Sequence, residues 1–205
     1  MKGIKIFILM AAFVVIKAFL SFRGIRIALV NPRLPAHQEA ARGFYELRDA
    51  IFSEKYGWEE PKGFERDQYD QASIFLTTTC HGKIVAGCRV IHRDRLSDGH
   101  TLPVETYLDE ESERIITKKA VEVSRMINTL GNDRLVFLAM HLAVYAYLWK
   151  HGFPVAVATI RENYLEKILR KKFGDGYFRK LSGVAMVKKT PTGSVIFVPT
   201  QLILD

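Results

Sequence analysis
An α/β (α+β) fold, with a central mixed, twisted sheet between helices in three layers, is what this chain of 205 residues predicts. Three observations carry that expectation. Short β-rich runs and helical patterns follow one another as strand, helix, several antiparallel strands, helix, strand, helix, strands. Apolar residues make up 48 % of the chain, enough for a sizeable core. One run, VAVAT at 155–159, is apolar throughout, as a strand covered on both faces near the middle of a sheet must be.

The elements follow in order. Residues 1–24 stand apart as an apolar extension, with Lys2 and Lys5 ahead of the run 6–16. The run is shorter than the roughly 18–20 residues that span a bilayer, and no small-x-small cleavage site follows it. A helix packed on the fold or touching a membrane surface is favoured over a secretion signal, and residues 25–205 form a single domain. IRIALV at 25–30 reads as a short strand, stopped by Pro32 and Pro35. Ala40, Phe44, Leu47 and Ile51 form one stripe of a helix over 36–52. Strands at 72–79 and 84–92 flank a turn at His81, Gly82 and Lys83, and Gly87 is a candidate bulge. Residues 93–108 read as mostly loop and 120–127 as a strand. A broadly apolar helix over 133–151 ends at Gly152, and a basic-ended helix follows over 162–173. Runs at 182–188 and 194–198 close the chain as a hairpin.

The balance of 30 Lys and Arg against 22 Asp and Glu gives a net charge of +8 and favours an anionic partner. Nucleic acid is not that partner, because the basic residues are not patterned with exposed aromatics and no binding motif is present. Cys80 and Cys88 fit no zinc or redox spacing and read as free thiols in a reducing, cytoplasmic setting. No metal-ligand spacing exists, and no prosthetic group is implied.

The chemistry concentrates between residues 48 and 70. Arg48 and Phe52 share a helix face, Trp58 follows, and Pro61 and Gly63 let the loop fold back so that Glu65, Asp67 and Asp70 approach that face. Aromatic rings beside carboxylates suit a cationic, partly apolar ligand. The same residues, with Arg89 and Arg125, also fit a salt-bridge network around ordinary core, and the residues alone leave both readings open.

Arg48, Phe52, Trp58, Glu65, Asp67 and Asp70, with Tyr69 in a Tyr-Asp pair, together form a pattern that resembles the acyl-homoserine-lactone synthase (autoinducer synthase) family. Gly87-Cys88-Arg89, Glu122-Val123-Ser124-Arg125 and the segment VATIRENYLEKILRKKFG extend the resemblance over about 25–198. The resemblance implies a Gcn5-related N-acyltransferase-like fold. It also implies transfer of an acyl chain from acyl carrier protein, or acyl-CoA, to the amine of S-adenosylmethionine, followed by lactonisation to a quorum-sensing signal.

On that basis Glu122 is the first candidate for the base that deprotonates the amine and Glu65 the second, with Arg125 beside them. Arg48, Phe52, Trp58, Asp67, Asp70 and Arg89 are candidates for binding the sulfonium substrate. Phe137, Met140 and Val144 are candidates for an acyl pocket, and Lys167, Arg170, Lys171 and Lys172 for docking acidic acyl carrier protein. The chain departs from the family in its leading residues, in Met126 where Phe is common, and in lacking a C-terminal extension. Two alternatives remain: an N-acyl amino acid synthase, and a non-catalytic acyltransferase-like module held at a membrane by residues 1–22.

Overall fold
The computed structural model describes residues 2–55, 67–131, 133–173, 175–191 and 193–203. It begins with helix α1 (Lys2–Phe22), then strand β1 (Ile25–Val30) and helix α2 (Gln38–Asp49), which runs on as a π-helical turn over Ala50–Lys55. Strands β2 (Ser73–Cys80) and β3 (Lys83–His92) are joined by the two-residue turn His81–Gly82. Both turn residues have positive φ, 48° and 82°, the geometry that lets a tight turn follow the twist of its strands. After a loop pinned by a 3-10 turn at Pro103–Tyr107 and the short helix α3 (Glu110–Glu113) comes β4 (Val121–Asn128). Helix α4 (Arg134–Lys150), strand β5 (Ala156–Arg161), the interrupted helix α5 (Glu162–Tyr164) and α6 (Arg170–Phe173), and strands β6 (Phe178–Lys180), β7 (Met186–Thr190) and β8 (Gly193–Leu202) complete the chain.

The strands form one eight-stranded sheet in the order β1-β2-β3-β4-β5-β8-β6, with β7 also on β8. All pairings are antiparallel except β4 with β5. That parallel pair holds for only Val121 with Ala156 and Glu122 with Val157, after which the two strands part. The sheet therefore opens as a wedge at its centre.

Each face of the sheet has its own cover. Phe44 and Tyr45 of α2 pack on Phe75, while Leu76, Cys88, Val121 and Val123 turn the other way toward Val136, Ala139, Met140 and Ala143 of α4. Alternation along the strands explains the division, since successive side chains point to opposite faces. Helix α1 is built into this core: Leu20 is fully buried, and Phe13 and Ile16 pack beside it. Arg23, just past α1, pairs at 2.8 Å with Asp133, the residue whose carboxylate caps α4 through the Leu135 and Val136 N–H groups.

Gly87 is not the bulge. Its strand is regular there, and a Cβ at Gly87 would sit 2.6 Å from the Phe44 ring and 2.9 Å from the Leu76 carbonyl oxygen, so the residue is needed for close packing. β3 has its own irregularity at Val85, which is extra between the pairs Thr78–Ala86 and Thr79–Ile84, and the irregularity next to Gly87 lies on the partner strand β4. Between the pairs Gly87–Ile127 and Arg89–Ser124, β4 has two residues, Arg125 and Met126, opposite the single Cys88. Arg125 takes φ of +54°, a left-handed conformation that a side chain of this size rarely adopts outside such a bulge. Strand β6 and the 3-10 turn at Pro103–Tyr107 were not expected from sequence; three residues are too few to leave a β-pattern, and Pro103 to Tyr107 carries no stripe.

Candidate active site
The wedge between β4 and β5 opens onto a cavity of about 690 Å³. Residues 122–128 of β4 form one wall and 158–161 of β5 the other. Phe137, Met140, His141, Val144 and Tyr145 of α4 form its apolar depth, closed by Tyr164, Leu169 and Phe178. Phe52, Asp67, Tyr69 and Arg89 line the opposite end.

Register places the polar groups. Arg89 pairs with Ser124 and Ile91 with Glu122, so Arg89, Glu122 and Ser124 share one face of the sheet. Arg89 Nε donates to Ser124 Oγ at 3.1 Å, and its Nη1 contacts Asp67 Oδ1 at 2.5 Å and Asp70 Oδ1 at 2.9 Å. Arg48, wholly buried, donates to Asp70 Oδ1 at 2.8 Å. The second Asp70 oxygen accepts the Asp67 N–H at 3.1 Å, closing the loop onto itself. Two arginines thus clamp two aspartates.

The two aspartates differ in what they face. Asp70 is buried, does not line the cavity, and is held between Arg48 and Arg89. Asp67 lines the cavity and its side chain is 26 % exposed. Burial alone would raise the Asp67 carboxyl, but the Arg89 and Arg48 guanidinium groups and the Tyr69 N–H together bring it below the usual value, so it is a fixed negative charge.

Glu122 is the opposite case. It is 1 % exposed, it lines the cavity, and its Oε2 accepts the Val104 N–H at 2.8 Å. Burial pushes its carboxyl up to about 7, against the smaller lowering effects of the Val104 N–H, Arg89 and Arg125. Two carboxyls on one cavity are thereby held in different states near neutrality, one ionised and one ready to exchange a proton. Arg125, at the bulge, places its guanidinium carbon 5.0 Å from the Phe52 ring centroid, so Phe52 and Arg125 form one edge of the cavity.

The loop that holds Glu122 in place left no signal in the sequence. Arg93 grips Glu105 with two bonds, Nε to Oε1 at 2.8 Å and Nη2 to Oε2 at 3.0 Å, and Glu105 Oε1 also accepts the Leu102 N–H at 2.8 Å. This fixes the turn that aims the Val104 N–H at Glu122 and brings Pro103, Thr106 and Tyr107 to the cavity wall. A sequence scan sees only a charged loop there.

Of the residues singled out in the sequence, the structure brings Phe52, Asp67, Arg89, Glu122, Arg125, Phe137, Met140 and Val144 to one cavity. Arg48 and Asp70 lie behind it. Trp58 and Glu65 are outside the described residues. Lys167 and Lys171 are exposed, Arg170 pairs with Glu166 at 2.8 Å, and the Lys172 side chain is outside the description. Among the described residues no group of His, Cys, Asp and Glu is arranged to hold a metal ion.

Residues 47–128 match the family model described as acetyltransferase (GNAT) domain, the segment from α2 to β4 that carries the clamp, the bulge and Glu122. The chain has the GNAT fold. The GNAT fold is shared with solved structures of acyl-homoserine lactone synthases. BjaI, a CoA-dependent synthase described with SAM and isopentyl-CoA, matches with a TM-score of 0.65 at 18 % identity, over 87 % of this chain and 82 % of that one. TofI, in a ternary complex with an inhibitor and MTA, matches with a TM-score of 0.64 at 19 % identity, over 87 % and 91 %. FeeM, an N-acyl amino acid synthase from uncultured soil microbes, matches with a TM-score of 0.55 at 12 % identity, over 88 % and 92 %. A comparison with proteins of curated function finds no significant match.

Proposed function
We propose that this protein is an acyl-homoserine-lactone synthase, which moves an acyl chain from an acyl carrier protein or CoA thioester to the amine of S-adenosylmethionine and then lactonises the product. One observation carries the reading: Glu122, with its carboxyl held near 7, stands in a cavity that also has the ionised Asp67 at one end and an apolar slot at the other. A base, an anionic contact for a cation and a place for an acyl chain are what the reaction needs in one volume.

Each group then has a task. Asp67, with the Phe52 ring on the same cavity, attracts the sulfonium or ammonium of the acceptor. Asp70 and Arg48 position Asp67 and Arg89 from behind. Glu122 takes a proton from the ammonium, and the freed amine attacks the thioester carbon. The C–N bond forms, the C–S bond of the thioester breaks, and the thiolate leaves. The substrate carboxylate then attacks the carbon beside the sulfonium, closing the lactone and releasing methylthioadenosine.

The acyl chain lies against Phe137, Met140 and Val144. The exposed Lys167 and Lys171, in the same helical segment as Arg170 and Lys172, offer a docking site to an anionic donor, either an acidic carrier protein or the phosphates of CoA. These substrates place the reaction in the cytoplasm.

The test is incubation of the protein with S-adenosylmethionine and acyl carrier protein loaded with a series of acyl chains, read by mass spectrometry. Acyl-homoserine lactone is the expected product. N-acyl amino acid from free amino acids, with no lactone from S-adenosylmethionine, would instead make the protein an N-acyl amino acid synthase. Silence with every acceptor would leave a non-catalytic module.

A further inference from the structure
The first 38 residues contain Lys2, Lys5, Lys17, Arg23, Arg26 and Arg33 and no acidic residue; the first carboxylate in the chain is Glu39. Six of the eight net positive charges are thus gathered in under a fifth of the sequence. The same segment holds six of the twelve large apolar side chains that are exposed among the described residues: Val14, Val15, Phe19, Phe22, Leu29 and Leu34. Phe22 is 91 % exposed and Val15 67 %.

On α1 these residues are ordered, not scattered. At 100° per residue, Ala11, Val14, Val15, Ala18, Phe19 and Phe22 lie within about 140° of one another. Phe13, Ile16 and Leu20 lie opposite and pack into the core beside α4. The helix therefore has two apolar faces, one used by the fold and one left to solvent. Lys17 flanks the open face, and Arg26 and Arg33 are exposed just beyond the helix; Arg23 is engaged with Asp133.

We infer that the outer face of α1 seats the protein on an anionic phospholipid surface, with Val14, Val15, Phe19 and Phe22 entering the headgroup–acyl boundary and the acid-free basic segment facing the lipid phosphates. Charge selects this occupant. A second copy of the chain would bring the same basic segment against itself, whereas an anionic bilayer complements both the apolar stripe and the cations, each Lys or Arg near such a surface adding attraction that salt screens. The mode is lying on the surface. A helix whose inner face is packed into a folded domain through Phe13, Ile16 and Leu20 cannot be surrounded by lipid.

The test uses the full chain and vesicles of phosphatidylcholine alone or with phosphatidylglycerol, separated by flotation. Binding to the anionic vesicles, weakened by added salt and absent on phosphatidylcholine alone, is expected. V15E/F19E/F22E changes only exposed positions and is expected to lower the partition about tenfold or more while leaving the unfolding midpoint in place. Equal flotation of this variant overturns the inference, as does failure of the native chain to bind anionic vesicles. Vesicle-bound protein that resists extraction at alkaline pH means a spanning anchor and overturns the surface mode. A dimer in light scattering that this triple substitution dissolves, with no vesicle binding, assigns the face to a second copy instead.

Discussion

Replacing Glu122 by Gln separates its chemistry from its place in the fold. Gln keeps the shape and an oxygen for the Val104 N–H, so the bond that positions residue 122 survives. What disappears is the titration. The Glu122 carboxyl rises from 4.5 to about 7 because the native site disfavours its charge. In the unfolded chain it ionises near its ordinary value, so between these two pH values the native state holds a proton that the unfolded state has lost. Stability therefore falls as pH rises through that window and is flat above it. A shift of about two and a half units is worth on the order of 3 kcal/mol at about 1.4 kcal/mol per unit. E122Q escapes that loss. It should match the native protein near about pH 4.5 and be more stable by up to about 3 kcal/mol near about pH 8. Urea unfolding of both proteins across this range gives the difference, and taking the difference removes every other titrating group. In turnover the native kcat/KM should rise with pH through about 7 and then level, and E122Q should lose about 10²–10⁴-fold together with that rise. A stability difference that is constant with pH, or an E122Q profile with the same rise, would refute the assignment of this carboxyl.

Four further substitutions probe the rest of the site and the sheet beneath it. D70N breaks a buried clamp and leaves Arg48 and Arg89 facing a neutral group, so it should lower stability by about 3–5 kcal/mol in denaturant unfolding. D67N removes the partly exposed partner and should cost less stability while raising KM for the acceptor, as seen in steady-state kinetics. V144W fills part of the cavity wall; at about 0.8 kcal/mol per methylene, a loss of room for four carbons should shift donor preference toward shorter chains by about two hundredfold in competition assays. G87A forces a Cβ to 2.6 Å from the Phe44 ring and 2.9 Å from the Leu76 oxygen, and a loss of about 1–3 kcal/mol in thermal or urea unfolding is expected.

The elements that were legible in the sequence are those with a period. The stripe of Phe44 and Leu47, the apolar strand around Val157 and the His81–Gly82 turn each carry a local signal, and the structure places them close to where that signal put them. The bulge was misread because Gly87 is the residue with an obvious backbone licence, whereas the strand that yields is β4, at an arginine. Nothing in the side chain of Arg125 announces a positive φ; the register of two distant strands imposes it. The site shows the same division. Its charged residues are recognisable by type and spacing, but which carboxylate faces the cavity depends on burial, and Asp67 and Asp70 look alike in sequence. The Arg93–Glu105 grip, twelve residues apart in a loop, became visible only once the loop was folded.

The most direct measurement is the product balance of a single reaction. Protein, acyl-loaded carrier protein and S-adenosylmethionine are mixed, and free carrier thiol, methylthioadenosine and acyl-homoserine lactone are quantified over time. The account predicts that the three appear in equal amounts, with E122Q slowing all of them together. Thiol released without methylthioadenosine, or an unchanged rate in E122Q, would contradict it.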